Sequence, residues 1–168
     1  MRTLLLLLLL LAPAGARAQY YEEHRAVSLL VGPSLGYTNA LRDNRAQTGP
    51  GIYLDLGGSL TVGHDRDEVF LIARGGVTTK GGEGVLLGGF RSVYGEEELQ
   101  TFFDLGATVR LFSGTWVGPR IGFGLRHALS DRLSLYGGLG LSLGFGSGLR
   151  MDAEGFTGLQ WSFPINSR

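Results

Sequence analysis

Residues 133–145 read LSLYGGLGLSLGF. The odd positions, Leu133, Leu135, Gly137, Leu139, Leu141, Leu143 and Phe145, are bulky and apolar apart from Gly137. The even positions between them, Ser134, Tyr136, Gly138, Gly140, Ser142 and Gly144, are small or polar apart from Tyr136. Side chains point to opposite faces of a strand with period two, whereas a helix would scatter both sets around its circumference. The same alternation sets Val117, Pro119, Ile121, Phe123 and Leu125 against Gly118, Arg120, Gly122, Gly124 and Arg126. It also sets Ile52, Leu54, Leu56, Leu60 and Val62 against Tyr53, Asp55, Gly57, Ser59 and Thr61.

Turn signals divide the chain into eight runs, roughly 27–38, 50–62, 68–78, 84–94, 99–112, 115–128, 132–146 and 149–163. Breakers stand between them: Asn39 to Gly49 as the longest connection, Gly63 to Asp67, Lys80 to Gly84, Gly95 to Glu98, Ser113-Gly114, Ser130-Asp131 and Gly146 to Gly148. The run 84–94 has two possible facings. Leu86, Phe90 and Tyr94 form one apolar set, and Val85, Leu87 and Val93 the other. The first is preferred because it turns Arg91 away from the apolar side. A single all-β domain of eight antiparallel strands is expected.

Composition says which face is inside. Charged residues make up 18% of the chain, against about 25% in soluble domains. Glycine supplies 29 of 168 residues, and Lys80 is the one lysine. Water-facing strands would favour Lys, Glu and Thr, and exposed glycine would only weaken them. A narrow eight-stranded lumen, just wide enough for side chains to fill, accounts for small residues on one face. The other face then carries Leu, Val, Ile and Phe on several strands in a row, far beyond the apolar patch a monomer tolerates in water. That face requires lipid. The runs have the length of tilted transmembrane strands, about 9–11 residues, and a sheet in hydrocarbon must close.

The inward face is expected to hold an ion network of Asp55, Arg74, Asp104, Arg120, Arg126, Asp152 and Glu154, because charges in such a lumen must pair and the planar guanidinium fork suits carboxylates. Arg110 and Arg150 share that face near strand ends, where a solvated rim position competes with pairing. Upstream, Arg2, the run Leu4 to Leu11 and Ala16-Arg17-Ala18 read as a cleaved signal peptide over 1–18, leaving 19–168 as the barrel domain.

Residues 156–163 read FTGLQWSF. Gly158, Trp161 and Phe163 resemble the C-terminal assembly signal of bacterial outer-membrane barrels, with Phe156 standing where that pattern has a polar residue and residues 164–168 following it. The stretch 130–146 is similar to a hairpin of small OmpA/OmpX-like outer-membrane barrels. This resemblance implies an eight-stranded antiparallel up-and-down transmembrane β-barrel in the bacterial outer membrane, with both termini in the periplasm. It implies recognition by the barrel-assembly machinery through the last strand, contact with outer-membrane lipid, and a monomer. Periplasmic turns would lie near Asp65, Glu97 and Ser130, and outer loops near Arg42, Lys80, Gly114 and Ser147. Two aromatic girdles would form, Trp161, Phe163 and Tyr94 at one interface and Tyr37, Phe112, Trp116 and Phe145 at the other.

The chemical inventory is thin. Fifteen basic and fifteen acidic residues balance, so no nucleic-acid footprint is visible. The absence of cysteine excludes thiolate metal sites, disulfides and a lipoprotein anchor. His24, His64 and His127 do not have zinc-site spacing, and the glycines at 138 and 140 lie within a strand without a following helix, so neither metal nor nucleotide is expected. The pair His127 and Ser130 carries the enzymatic alternative, a lipid-modifying barrel. The expected function is a plugged, non-porous barrel with a structural or surface-binding role and no cofactor. A secreted soluble barrel with an apolar ligand is the third reading.

Overall fold

The computed structural model describes residues 25–42, 45–62, 66–95, 98–111, 114–146 and 148–165. Residues 1–18, His24, His64, Asp65, Glu97, Phe112 and Ser147 lie outside them, and with them the signal peptide and parts of the expected turns and girdle.

Eight strands follow in chain order: β1 (Ala26–Arg42), β2 (Arg45–Val62), β3 (Asp67–Thr78), β4 (Gly81–Gly95), β5 (Leu99–Leu111), β6 (Trp116–Ala128), β7 (Leu133–Gly146) and β8 (Gly148–Pro164). Each pairs antiparallel with its neighbour, and β8 pairs with β1, closing the barrel. No helix occurs among the described residues. One end, the terminal end, carries the start of β1, the end of β8 and the connections β2–β3, β4–β5 and β6–β7. The far end carries the other four connections.

The strands run longer at the far end than the alternation predicts. The segment 39–49, read as the longest connection, instead continues the β1–β2 ladder through Asn39↔Thr48 and Leu41↔Ala46 to Arg42↔Arg45. Polar residues beyond an apolar band do not end a strand; backbone pairing carries on while the register is kept.

Polarity is inverted relative to a soluble globule. Leu54, Leu71, Leu105, Phe123, Leu139 and Leu141 all point outward and are exposed, while Asp55, Arg74, Asp104 and Arg120 point inward and are buried. Strand β4 faces as preferred, with Leu86, Phe90 and Tyr94 outward and Val85, Leu87, Arg91 and Val93 inward. Trp116 corrects the girdle assignment, because it is buried at 2% exposure. Its neighbour Val117 pairs with outward Phe145, so strand parity sends the indole inside.

The interior also departs from a lining of small residues and ions. Leu30, Val93, Phe102, Tyr136 and Phe156 form one buried apolar cluster, and Phe70, Ile72, Val85 and Leu87 another. Glycines on the adjacent strand make room for this bulk, Gly124 beside Phe102, Gly138 beside Phe156 and Gly158 beside Tyr136.

Candidate functional site

The charged groups of the interior form three clusters stacked along the barrel axis. The central one is a chain of alternating sign, built from the middles of six strands. Arg91 on β4 donates from Nε and Nη2 to Asp104 on β5 at 2.7 and 3.0 Å. Asp104 lies 3.5 Å from Arg120 on β6, whose Nε and Nη2 donate to Glu154 Oε1 on β8 at 2.8 and 2.6 Å. Glu154 also accepts from Arg74 Nη1 on β3. Arg74 in turn grips Asp55 on β2 through Nε and Nη2 at 2.7 and 2.8 Å, and Ser34 Oγ on β1 donates to the same carboxylate at 2.9 Å. Three guanidinium groups thus meet three carboxylates with no net charge. The Arg91 guanidinium lies over the Phe102 ring at 4.1 Å, so the aromatic cluster supports the network from the terminal side.

At the far end, Glu83 and Asp152 alternate with Arg110 and Arg150. Arg110 reaches Glu83 at 3.0 Å and Asp152 at 3.1 Å, and Arg150 reaches Glu83 at 2.7 Å and Asp152 at 2.9 Å. Tyr53 Oη donates to Glu83 at 2.7 Å, and Thr38 Oγ1 to Asp152 at 2.6 Å. Trp116 flanks this square, sharing with Thr38, Glu83 and Arg150 the lining of a small cavity of about 30 Å³. At the terminal end Arg126 bonds Glu68, and its Nε donates to Gln100 at 2.8 Å. Gln160 Nε2 donates to Glu68 at 3.0 Å. Ser59 Oγ, Glu68 Oε2 and Arg91 Nη1 are buried without a hydrogen-bond partner among the described residues, although Glu68 and Arg91 are register partners across β3–β4.

All seven residues expected in the ion network therefore lie inside, but not as one set. Asp55, Arg74, Asp104, Arg120 and Glu154 belong to the central chain, Asp152 to the far cluster and Arg126 to the terminal one. Arg110 and Arg150 are paired rather than solvated, at 3% and 5% exposure. Glu68, Glu83, Arg91, Gln100 and Gln160 complete the clusters. Glu68 could have been found from parity, since it shares the face of Phe70 and Arg74. In the sequence Glu83 reads as part of a turn, because Gly81, Gly82 and Gly84 around it look like a breaker, whereas it lies within β4 and points inward.

Desolvation makes this arrangement expensive unless each ion is matched, so alternation of sign is a requirement rather than a decoration. Glycine supplies the room. A Cβ on Gly140 would stand 2.7 Å from Glu154 Oε1 and 2.8 Å from Arg120 Nη2. Gly140→Val is accordingly expected to cost about 1–3 kcal/mol by overpacking. Gly75 faces outward with no atom within 4 Å of such a Cβ. Gly75→Ala is expected to stabilise by about 0.4–1 kcal/mol through the unfolded chain. Urea titration of both variants checks the contrast.

Of the C-terminal motif, Gly158 points inward beneath Tyr136, whose Oη would lie 2.7 Å from an added Cβ. Trp161 and Phe163 point outward and stack, with centroids 6.1 Å apart and planes within 3°. His127 and Ser130 are both exposed and make separate turn contacts. His127 Nδ1 bonds the Glu98 carbonyl at 2.9 Å, and Ser130 Oγ accepts from the Leu133 amide at 3.2 Å.

No protein-family model matches the chain, and no curated protein matches it. Among solved structures, the chain is similar to the Yersinia pestis attachment invasion locus protein Ail at 11% identity, covering 83% of this chain and 99% of that one, with a TM-score of 0.54. It is similar to Neisserial surface protein A at 12% identity, covering 80% and 97%, with a TM-score of 0.53. A de novo designed transmembrane β-barrel matches at 17% identity over 84% and 98%, with a TM-score of 0.50. At such identities the likeness is one of architecture, and the chain has the fold of the small eight-stranded transmembrane β-barrels.

Proposed function

We propose that this chain is a bacterial outer-membrane barrel with a plugged lumen, acting in the envelope as a structural or surface-binding element and not as an open pore. The observation that carries the reading is the inversion of polarity, with a wide apolar exterior surrounding paired ions and buried aromatic rings. A soluble carrier of an apolar ligand needs the opposite arrangement. Similarity in fold to Ail and Neisserial surface protein A supports the same location. Lipid would cover the outward Leu, Val, Ile and Phe rows, with Tyr94, Trp161 and Phe163 at one interface and Tyr37 and Phe145 at the other. Even strand number puts both termini on one side, read here as the periplasm. Gly158, Trp161 and Phe163 would present the last strand to the assembly machinery, and the barrel would stand as a monomer.

The plug reading rests on the three charge clusters and on Trp116 at the far mouth. Fractionation followed by planar-bilayer recording tests both levels. The expected result is recovery with the outer membrane, extraction by detergent, a heat-dependent shift in gel mobility and no steady conductance. Recovery as a soluble periplasmic protein would overturn the membrane reading, and stable channel steps would overturn the plug. His127→Ala is expected to leave lipid A and phospholipid profiles unchanged; a changed profile would revive the lipid-enzyme alternative.

A further inference from the structure

Two segments of the chain share one pattern. Residues 31–37 read VGPSLGY in β1, and residues 117–123 read VGPRIGF in β6. Proline has no N–H to give a ladder, so its place in a sheet decides which neighbour loses a hydrogen bond. The β1–β2 ladder runs unbroken past Pro33, but the β1–β8 ladder stops at Val31↔Leu159 and resumes at Ser34↔Phe156. Likewise β5–β6 is continuous through Pro119, while β6–β7 stops at Val117↔Phe145 and resumes at Arg120↔Ser142. The remaining six interfaces are continuous over their described residues. Both interruptions therefore border the same element, the β7–β8 hairpin, one on each side.

The glycine before each proline makes a close backbone approach of the kind that Gly76 and Gly106 also make across unbroken ladders. A Cβ on Gly32 would collide with the Thr157 carbonyl, and one on Gly118 with the Leu143 carbonyl. The carbonyl that lost its N–H partner lies against a bare Cα in both cases. Within the hairpin the opposite holds. The β7–β8 ladder is unbroken from Leu133↔Trp161 to Phe145↔Leu149, and Thr157 Oγ1 adds a bond to the Tyr136 carbonyl at 3.0 Å. Side chains inside the barrel tie the hairpin to the rest, above all Glu154 to Arg120 and Arg74.

We infer that the β7–β8 hairpin is a separate cooperative unit of the wall, which opens from the β1–β6 sheet along two Gly-Pro seams and is latched from within by Glu154. Contiguous units of this kind open with their own free energies, below that of global unfolding. This concerns the mechanics of the wall and stands whether or not the lumen conducts.

Amide hydrogen exchange of the barrel refolded in dodecylphosphocholine micelles, followed by NMR, tests it. Amides flanking the seams, those of Gly155 and Leu159 on β8 and of Leu141 and Phe145 on β7, are expected to exchange at least tenfold faster than mid-strand amides of β3 and β4. Pro33→Ala and Pro119→Ala, which restore an N–H to each seam, are expected to slow that exchange at least tenfold. Equal protection of β7–β8 and β3–β4 in the unmodified barrel would overturn the inference even if a variant failed to refold. Unchanged hairpin exchange in both variants would overturn it as well.

Discussion

Leu141→Arg is expected to destabilise the barrel in bilayers by about 2–4 kcal/mol, the range for a cationic side chain on the lipid face near the bilayer midplane. Leu141 lies in the middle of β7, points outward at 54% exposure, and has Ile121 and Ala153 as its register partners on either side. The neighbouring Ser142 points inward, and its side-chain bond to Asp152 is a long one at 3.4 Å. Ser142→Ala is therefore expected to stay within about 0.5 kcal/mol of the parent. Urea titration of barrels refolded into phosphatidylcholine vesicles measures both. If the exterior faced water, Leu141→Arg would be neutral or mildly favourable, because it would remove an exposed leucine. Equal tolerance of the two substitutions would thus refute the orientation of the faces.

The facing of most strands could be read from sequence because period two is a local property: Leu139 and Leu141 announce the outside without reference to any other strand. Even in β4, where both faces are apolar, the single charge of Arg91 was enough to choose. The failures have a different origin. Residue type alone puts Trp116 at an interface, whereas its parity with Gly118 and Arg120 puts it inside. The ion pairing was beyond reach, since it joins residues far apart in the chain, such as Arg74 and Glu154, whose meeting depends on closure and on the register of every strand between. The role of the inward glycines was only half legible. They read as lining for a narrow lumen, whereas Gly140 and Gly158 make room for Arg120 with Glu154 and for Tyr136. The Val-Gly-Pro repeat is visible in the sequence itself, but it acquires meaning only when β1 and β6 are seen to flank one hairpin.

Glu154→Gln is expected to cost about 3–5 kcal/mol, the penalty for removing one partner from a buried ion pair. Glu154 is the most exacting position because its carboxylate serves two guanidinium groups, Arg120 through Oε1 and Arg74 through Oε2. A neutral amide leaves two cations facing each other with three carboxylates reduced to two. The alternation of the central chain makes a sharper test possible. If Arg120 and Glu154 are removed together, Arg91 keeps its two-point grip on Asp104 and Arg74 keeps its grip on Asp55. The remaining ions are then matched, and an apolar pair of similar volume can occupy the gap. The double variant Arg120→Met with Glu154→Met is accordingly expected to keep about the parent's stability, and so to be more stable than Glu154→Gln alone by about 3–5 kcal/mol. Asp131→Asn, at an exposed turn, serves as the control and should shift stability by no more than about 0.5 kcal/mol. Should the double variant lose as much as the single one, the centre of the barrel would be held by shape rather than by charge matching.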